Sequence, residues 1–280
     1  MILSFGSNVA NANSAAVALG IPSLIALLGY AASAALGEQR TANAQRVALL
    51  VGWLAHGVAI VADTAGWGSA STGARFGFAL ALSATAWLVI AVYGIESRFL
   101  PMLNVHRPLM LSSLAAVALA WLFPAEIRSA SISHWAPLHW VLGIASYGLF
   151  GAAVLHAAML NRVERQLRNK GEGARAAPAG IPLLRLERLT FRFVAAGFGV
   201  LSAALLLGAW FSNPWRWDHK TVFSMLGWLV FAGLLSGRHV FGWRGPKATR
   251  WLYAGAALLL LAYVGSRFVL EVLLHRVPSA

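Results

Sequence analysis

The chain of 280 residues contains no cysteine. That absence excludes a disulfide framework, a thiolate-held metal centre and thiol redox chemistry by the chain itself. Charge is nearly as scarce, with only 11% of residues Asp, Glu, Lys or Arg. A soluble domain carries about 25%. In place of charge stand apolar residues, 59% of the chain, with a mean hydropathy of +0.69. This is the composition of an integral membrane protein.

Motifs of conventional enzymes are missing as well. There is no phosphate-cradling G-x-x-x-x-G-K-[ST], no zinc-binding H-E-x-x-H and no carboxylate pair placed for acid–base catalysis, so no enzyme activity is expected. The glycines of GFGV lie inside an apolar run, where small residues let helices approach closely.

Eight apolar runs reach the length of about 17–25 residues that a hydrocarbon layer of about 30 Å requires. They fall near 15–36, 47–65, 76–94, 105–123, 138–160, 189–211, 221–237 and 251–275. The expected fold is all-α, a polytopic membrane helix bundle of about eight transmembrane helices.

The net charge of +13 raises the question of nucleic acid, and its distribution answers differently. Arg40, Arg46, Arg98, Arg107, the basic connection 161–188 and the segment holding Arg238, Arg244, Lys247 and Arg250 follow the odd-numbered spans. The even-numbered spans are followed only by Arg75, Arg128, Arg216 and Lys220. By the positive-inside rule the first set is cytoplasmic and both termini are periplasmic. The excess is an orientation signal, and no nucleic-acid partner is expected. The start, MILSFGSNVANANS, has no positive n-region, so the first span is expected not to be a cleaved signal. The longest connection, NRVERQLRNKGEGARAAPAGIPLLRLER, reads as a basic helical extension followed by Gly, Ala and Pro. No loop is long enough for a second domain, so residues 1–280 form a single membrane domain.

Polar groups at membrane depth are costly and therefore candidates for function. His56 in VGWLAHGVAI lies about 14 Å from the inner edge of its span, with Asp63 on the same helical face. His139 in PLHWVLGIASYGLF and His219 in WRWDHK open the outer ends of two different spans. Neutral imidazole ligates heme iron, and two imidazoles on separate helices suit its two axial sides. Trp210, Trp215 and Trp217 can pack on a porphyrin or form an ordinary interfacial belt. His134 is an alternative outer ligand. His156 lies about 25 Å deeper than His139 and cannot share its heme. His106 and His239 fall in inner connections, where headgroup contact is expected. Arg267 and Glu271 are spaced for an i,i+4 pair, and Arg267 also suits a heme propionate.

WRWDHKTVFSMLGWLVFAGLLSGR resembles the segment of the cytochrome c assembly membrane proteins, the CcsA/CcmC group, that reads W-x-W-D-P-K-E-T-W before a span. LHWVLGIASYGLF resembles that group's span with an external ligand His and a Tyr eight residues on, here His139 and Tyr147. RWLYAGAALLLLAYVGSRFVLEVLL resembles its last span, and GWRG and the pattern from Arg75 match the short YpjD/HemX-like branch. The resemblance implies a heme-handling role in cytochrome c assembly, in a bacterial inner membrane. Non-covalent heme b would be ligated by His139 and His219 at the outer side, with His56 as a deeper candidate, and Asp218, Trp215 and Trp217 as the remnant of the family's Trp-rich domain. That domain is reduced here to SNPWRWDHK, His219 replaces the family's Pro, and Ser236 stands where larger members carry a membrane-embedded His. His275 falls within about one residue of the family's second external His. Lipid, heme and other assembly components are the implied partners. A transporter lined by His56, Asp63, Arg267 and Glu271, and a cofactor-free assembly scaffold, are the competing readings.

Overall fold

The computed structural model describes residues 2–36, 42–67, 75–99, 105–124, 126–127, 135–169, 183–211 and 217–265. The protein is an all-α, polytopic membrane helix bundle. Its helices are α1 (Ile2–Ala35), α2 (Ala42–Ala65), α3 (Phe78–Glu96), α4 (His106–Leu122), α5 (Ala136–Asn169), α6 (Leu183–Phe211), α7 (His219–Phe241) and α8 (Gly245–Leu260). A π turn, Leu261–Gly265, continues α8. Among the described residues seven helices are long and apolar enough to cross a membrane, and α4, at 17 residues, is a shorter apolar helix. The basic extension after the fifth apolar run is helical as far as Asn169. The eighth helix starts at Gly245, earlier than its apolar run suggests, because Pro246 suits a helical first turn where no amide donor is needed.

Two short strands, β1 (Arg75–Phe76) and β2 (Glu126–Ile127), pair antiparallel with Arg75 opposite Ile127. They join the connections that follow α2 and α4, which alternating spans place on one side of the membrane.

The chain divides into two compact units: residues 1–91, 103–132 and 270–280, and residues 92–102 and 133–269. In the first, α1 packs on α2 and α4. The first crossing is close because Gly29 meets Gly52, where a Cβ on Gly29 would stand 2.6 Å from the Gly52 Cα. Tyr30, one residue on, is fully buried. Trp53 and Trp87 stack at 4.7 Å and each indole N–H donates to the other's backbone carbonyl, at 3.1 and 2.9 Å. This reciprocal pair ties α2 to α3 while satisfying both indole donors.

In the second unit α5 to α8 enclose a core of Phe150, Ala153, Val194, Phe231, Leu234 and Leu252. Phe150 and Phe231 stack at 3.9 Å, and Gly197 and Gly255 leave room for their rings. Helix α7 begins with Asp218 as N-cap, its carboxylate accepting the Thr221 amide at 2.7 Å, and ends on Gly242 at φ +64°. That left-handed position favours glycine. At this end Glu187 of α6 binds Arg238 at 2.6 Å, and the Arg238 guanidinium lies 3.7 Å from the Phe191 ring centre. Outward-facing side chains are apolar, as lipid contact requires: Leu28, Leu206 and Trp210 are among the most exposed hydrophobic residues.

Candidate functional site

His139 lies in the first turn of α5, half buried against α6. Its Nδ1 is 2.9 Å from the carbonyl of Ala204. A carbonyl can only accept, so Nδ1 carries the proton and the lone pair of the neutral ring is on Nε2. A histidine that ligates a metal commonly has one ring nitrogen held by such a carbonyl and binds through the other. One turn beyond Ala204, Gly208 supplies the space for the ring, since a Cβ there would stand 2.9 Å from the His139 Cε1.

Helix α7 brings the second group to this end of the unit. His219 is its first residue and is exposed. Lys220 follows, close enough for its charge to act on the His139 ring, with its Nζ 5.8 Å from the ring centre of Tyr263 in the π turn. Trp217, just before the helix, is 69% exposed. Asp218 serves as the α7 cap, so its carboxylate positions the start of the helix that carries His219 and Lys220. Tyr147 lies two turns along α5 from His139, and its hydroxyl donates to the Leu259 carbonyl just before the π turn. That bond fixes α5 to α8 where the helical ladder widens.

His56 belongs to the other unit and has a different environment. It is buried among α1, α2 and α3, with Nδ1 2.9 Å from the Tyr30 hydroxyl and Nε2 2.7 Å from the Ser83 hydroxyl. Both ring nitrogens are therefore engaged by the protein. Asp63, on the same helix, is also buried. His106 corrects the expectation of headgroup contact: it is buried at the start of α4, its Nε2 3.0 Å from the carbonyl of Ser33 on α1. His239 is exposed in the last turn of α7. Trp215, His134, Arg267, Glu271 and His275 lie outside the described residues.

Sequence reasoning joined His139 and His219 at one end but missed Ala204, Gly208, Lys220 and Tyr263 around them. A signal for Gly208 was present. It interrupts the leucine run LLLGAW near the end of α6, at the depth where antiparallel α5 begins with His139.

Comparison with known proteins places the chain in a family. The chain is 32% identical to the inner membrane protein YpjD of Escherichia coli (strain K12) over 165 residues, 58% of this chain and 62% of that protein. It is 32% identical to the cytochrome c biogenesis protein CcsA of a Synechococcus strain over 104 residues, 33% of this chain and 30% of the relative. The CcsA of Cyanophora paradoxa is 33% identical over 86 residues, 29% and 27% of the two chains. The aligned segments thus span under two thirds of each relative. No solved structure matches the chain. The family pattern described as "Cytochrome C assembly protein" covers residues 41–274, and with a match over most of its length the chain belongs to that family.

Proposed function

We propose that this protein binds non-covalent heme b at the periplasmic side of the inner membrane and holds, relays or shelters it during cytochrome c assembly. Family membership supports the coarse role. The single observation that carries the heme assignment is the Nδ1–H···O=C bond from His139 to Ala204, which fixes the tautomer that ligates iron through Nε2. In this reading His219 would be the second residue to hold the iron, with His275 and His134 as its alternatives.

When bound, heme supplies a redox-active iron and two carboxylates. The residues around His139 suit that chemistry. Gly208 leaves room for the imidazole, Lys220 offers a positive charge for a carboxylate, and exposed Trp217 offers an aromatic face. We assign His56 to structure instead of iron, because both of its nitrogens are bonded to Tyr30 and Ser83. The same bonds count against His56 as an open station on a transport path. With the Trp-rich segment reduced to a turn, holding or relaying heme fits better than presenting it on a large platform.

A pyridine hemochrome assay on detergent-purified protein, before and after reconstitution with hemin, tests the reading. It predicts heme at a fixed ratio to the chain. A preparation that stays heme-free after reconstitution would leave the scaffold reading in its place.

A further inference from the structure

The stretch GWRGPK, residues 242–247, carries the chain from α7 into α8 at the end of the second unit opposite His139. Two glycines in the left-handed region, Gly242 at φ +64° and Gly245 at φ +58°, shape the turn. The amides of Gly242 and Trp243 donate back to the carbonyls of Arg238 and Gly237, at 3.1 and 3.2 Å. The Trp243 indole folds onto α7, where a Cβ on Gly237 would run into it, and lies 5.2 Å from the ring of Trp251 on α8. On this base Lys247 sets its ammonium 4.0 Å from the centre of the Trp243 ring, a cation–π contact.

Charge at the turn is unbalanced. Glu187 of α6 accepts from Arg238 at 2.6 Å and meets Nε of Arg244 at 3.5 Å, so one carboxylate serves two guanidiniums. Lys247 makes no ion pair among the described residues. Two positive charges are therefore in excess, and Arg244, with its side chain 66% exposed, and Lys247 both present theirs at the surface.

The apolar surface nearby selects what meets them. Val222, Leu226, Leu229 and Val240 form one exposed stripe along α7 that ends just short of the turn, and Phe241, 73% exposed, follows it. The cavity beneath the turn, lined in part by Glu187, Gly245 and Thr249, measures about 10 Å³. That is room for one water and not for an acyl chain. A ligand that engages both cations and stripe is anionic at one end, apolar along its length and seated on the outside of the bundle. An acidic protein segment would match the cations alone.

We propose that residues 242–247 bind the phosphate headgroup of an anionic phospholipid of the inner leaflet, with an acyl chain along the α7 stripe. The positive-inside rule assigns this end to the cytoplasmic leaflet, whose surface is negative. Arg244 meets the phosphate with its N–H fork and Lys247 meets it as a point charge. The site is independent of heme.

The test is native mass spectrometry of the full-length protein in neutral detergent, titrated with phosphatidylglycerol or phosphatidylcholine. The first phosphatidylglycerol should bind at least about tenfold more tightly than the first phosphatidylcholine. Arg244→Gln and Lys247→Gln, both at exposed positions, should each weaken phosphatidylglycerol by about fivefold and together by about 25-fold, with phosphatidylcholine unchanged. Arg46→Gln combined with Arg107→Gln removes two exposed charges from inner connections of the other unit and should leave phosphatidylglycerol binding intact. Equal affinity for the two lipids would overturn the proposal. Equal weakening in both double variants would do so too, since the attraction would then be diffuse. Phosphatidylglycerol binding unaffected at the turn, with an oligoglutamate peptide losing its binding there instead, would give the turn to an acidic protein partner.

Discussion

Replacing Gly208 by alanine places a methyl carbon 2.9 Å from Cε1 and 3.3 Å from Nδ1 of His139. The ring must move away, and in moving it gives up the bond to Ala204. Losing that bond costs about 0.5–1.5 kcal/mol, and forcing a methyl into filled space costs about 1–3 kcal/mol. Replacing a helical glycine returns about 1 kcal/mol, so a net loss of about 0.5–3.5 kcal/mol is expected. The decisive comparison is the same substitution in a His139→Ala background. There the methyl meets no ring, and only the helical gain remains. Denaturation of the four apoproteins in detergent should give a coupling of about 1.5 kcal/mol or more between the two positions. Heme affinity of Gly208→Ala should also drop by about 10–100-fold, the usual effect of disturbing a ligand's supporting bond. Additive stability effects, or an unchanged affinity, would refute the idea that Gly208 exists to seat the imidazole.

Other parts of the structure give separate expectations. Tyr30→Phe strands the Nδ1 of buried His56, and thermal unfolding should show a loss of about 1–3 kcal/mol, with Ser83→Ala similar through Nε2. Asp218→Ala removes the α7 cap and should cost about 0.5–2 kcal/mol, whereas Asp218→Asn or Asp218→Ser should restore most of it; a loss unaffected by Asn or Ser would assign Asp218 another role. Phe231→Ala empties the stack on Phe150 and should cost about 3–5 kcal/mol in denaturant titrations.

The helices were legible because each is built from a run whose apolar length matches the bilayer, a property of one segment alone. Helix α4 was placed to within one residue at either end, since its apolar run adds only Val105 and Phe123 to the 17 helical residues. The β1–β2 pair was hidden, because strands of two residues have no periodicity to read. The depth of His56 could be counted along its helix, but its partners Tyr30 and Ser83 come from two other helices, about a span's length away in either direction. His106 was misplaced for the same reason, since nothing local announces that α1 covers it. Asp218 was read as part of a Trp-rich turn although the order Asp-His-Lys-Thr before an apolar run already spells a helix cap. The contact of Glu96 with His156 joins residues 60 positions apart, and only the packed fold brings them together.

The central claim is that heme iron is held by His139 and His219. Absorption spectra of the reduced and oxidised protein, taken alongside His139→Ala, His219→Ala and the double variant at equal hemin loading, test it most directly. The account predicts a low-spin spectrum with sharp reduced α and β bands, converted to a high-spin form by either single variant and abolished in the double variant. Undiminished heme content and an unaltered low-spin spectrum in the double variant would contradict it.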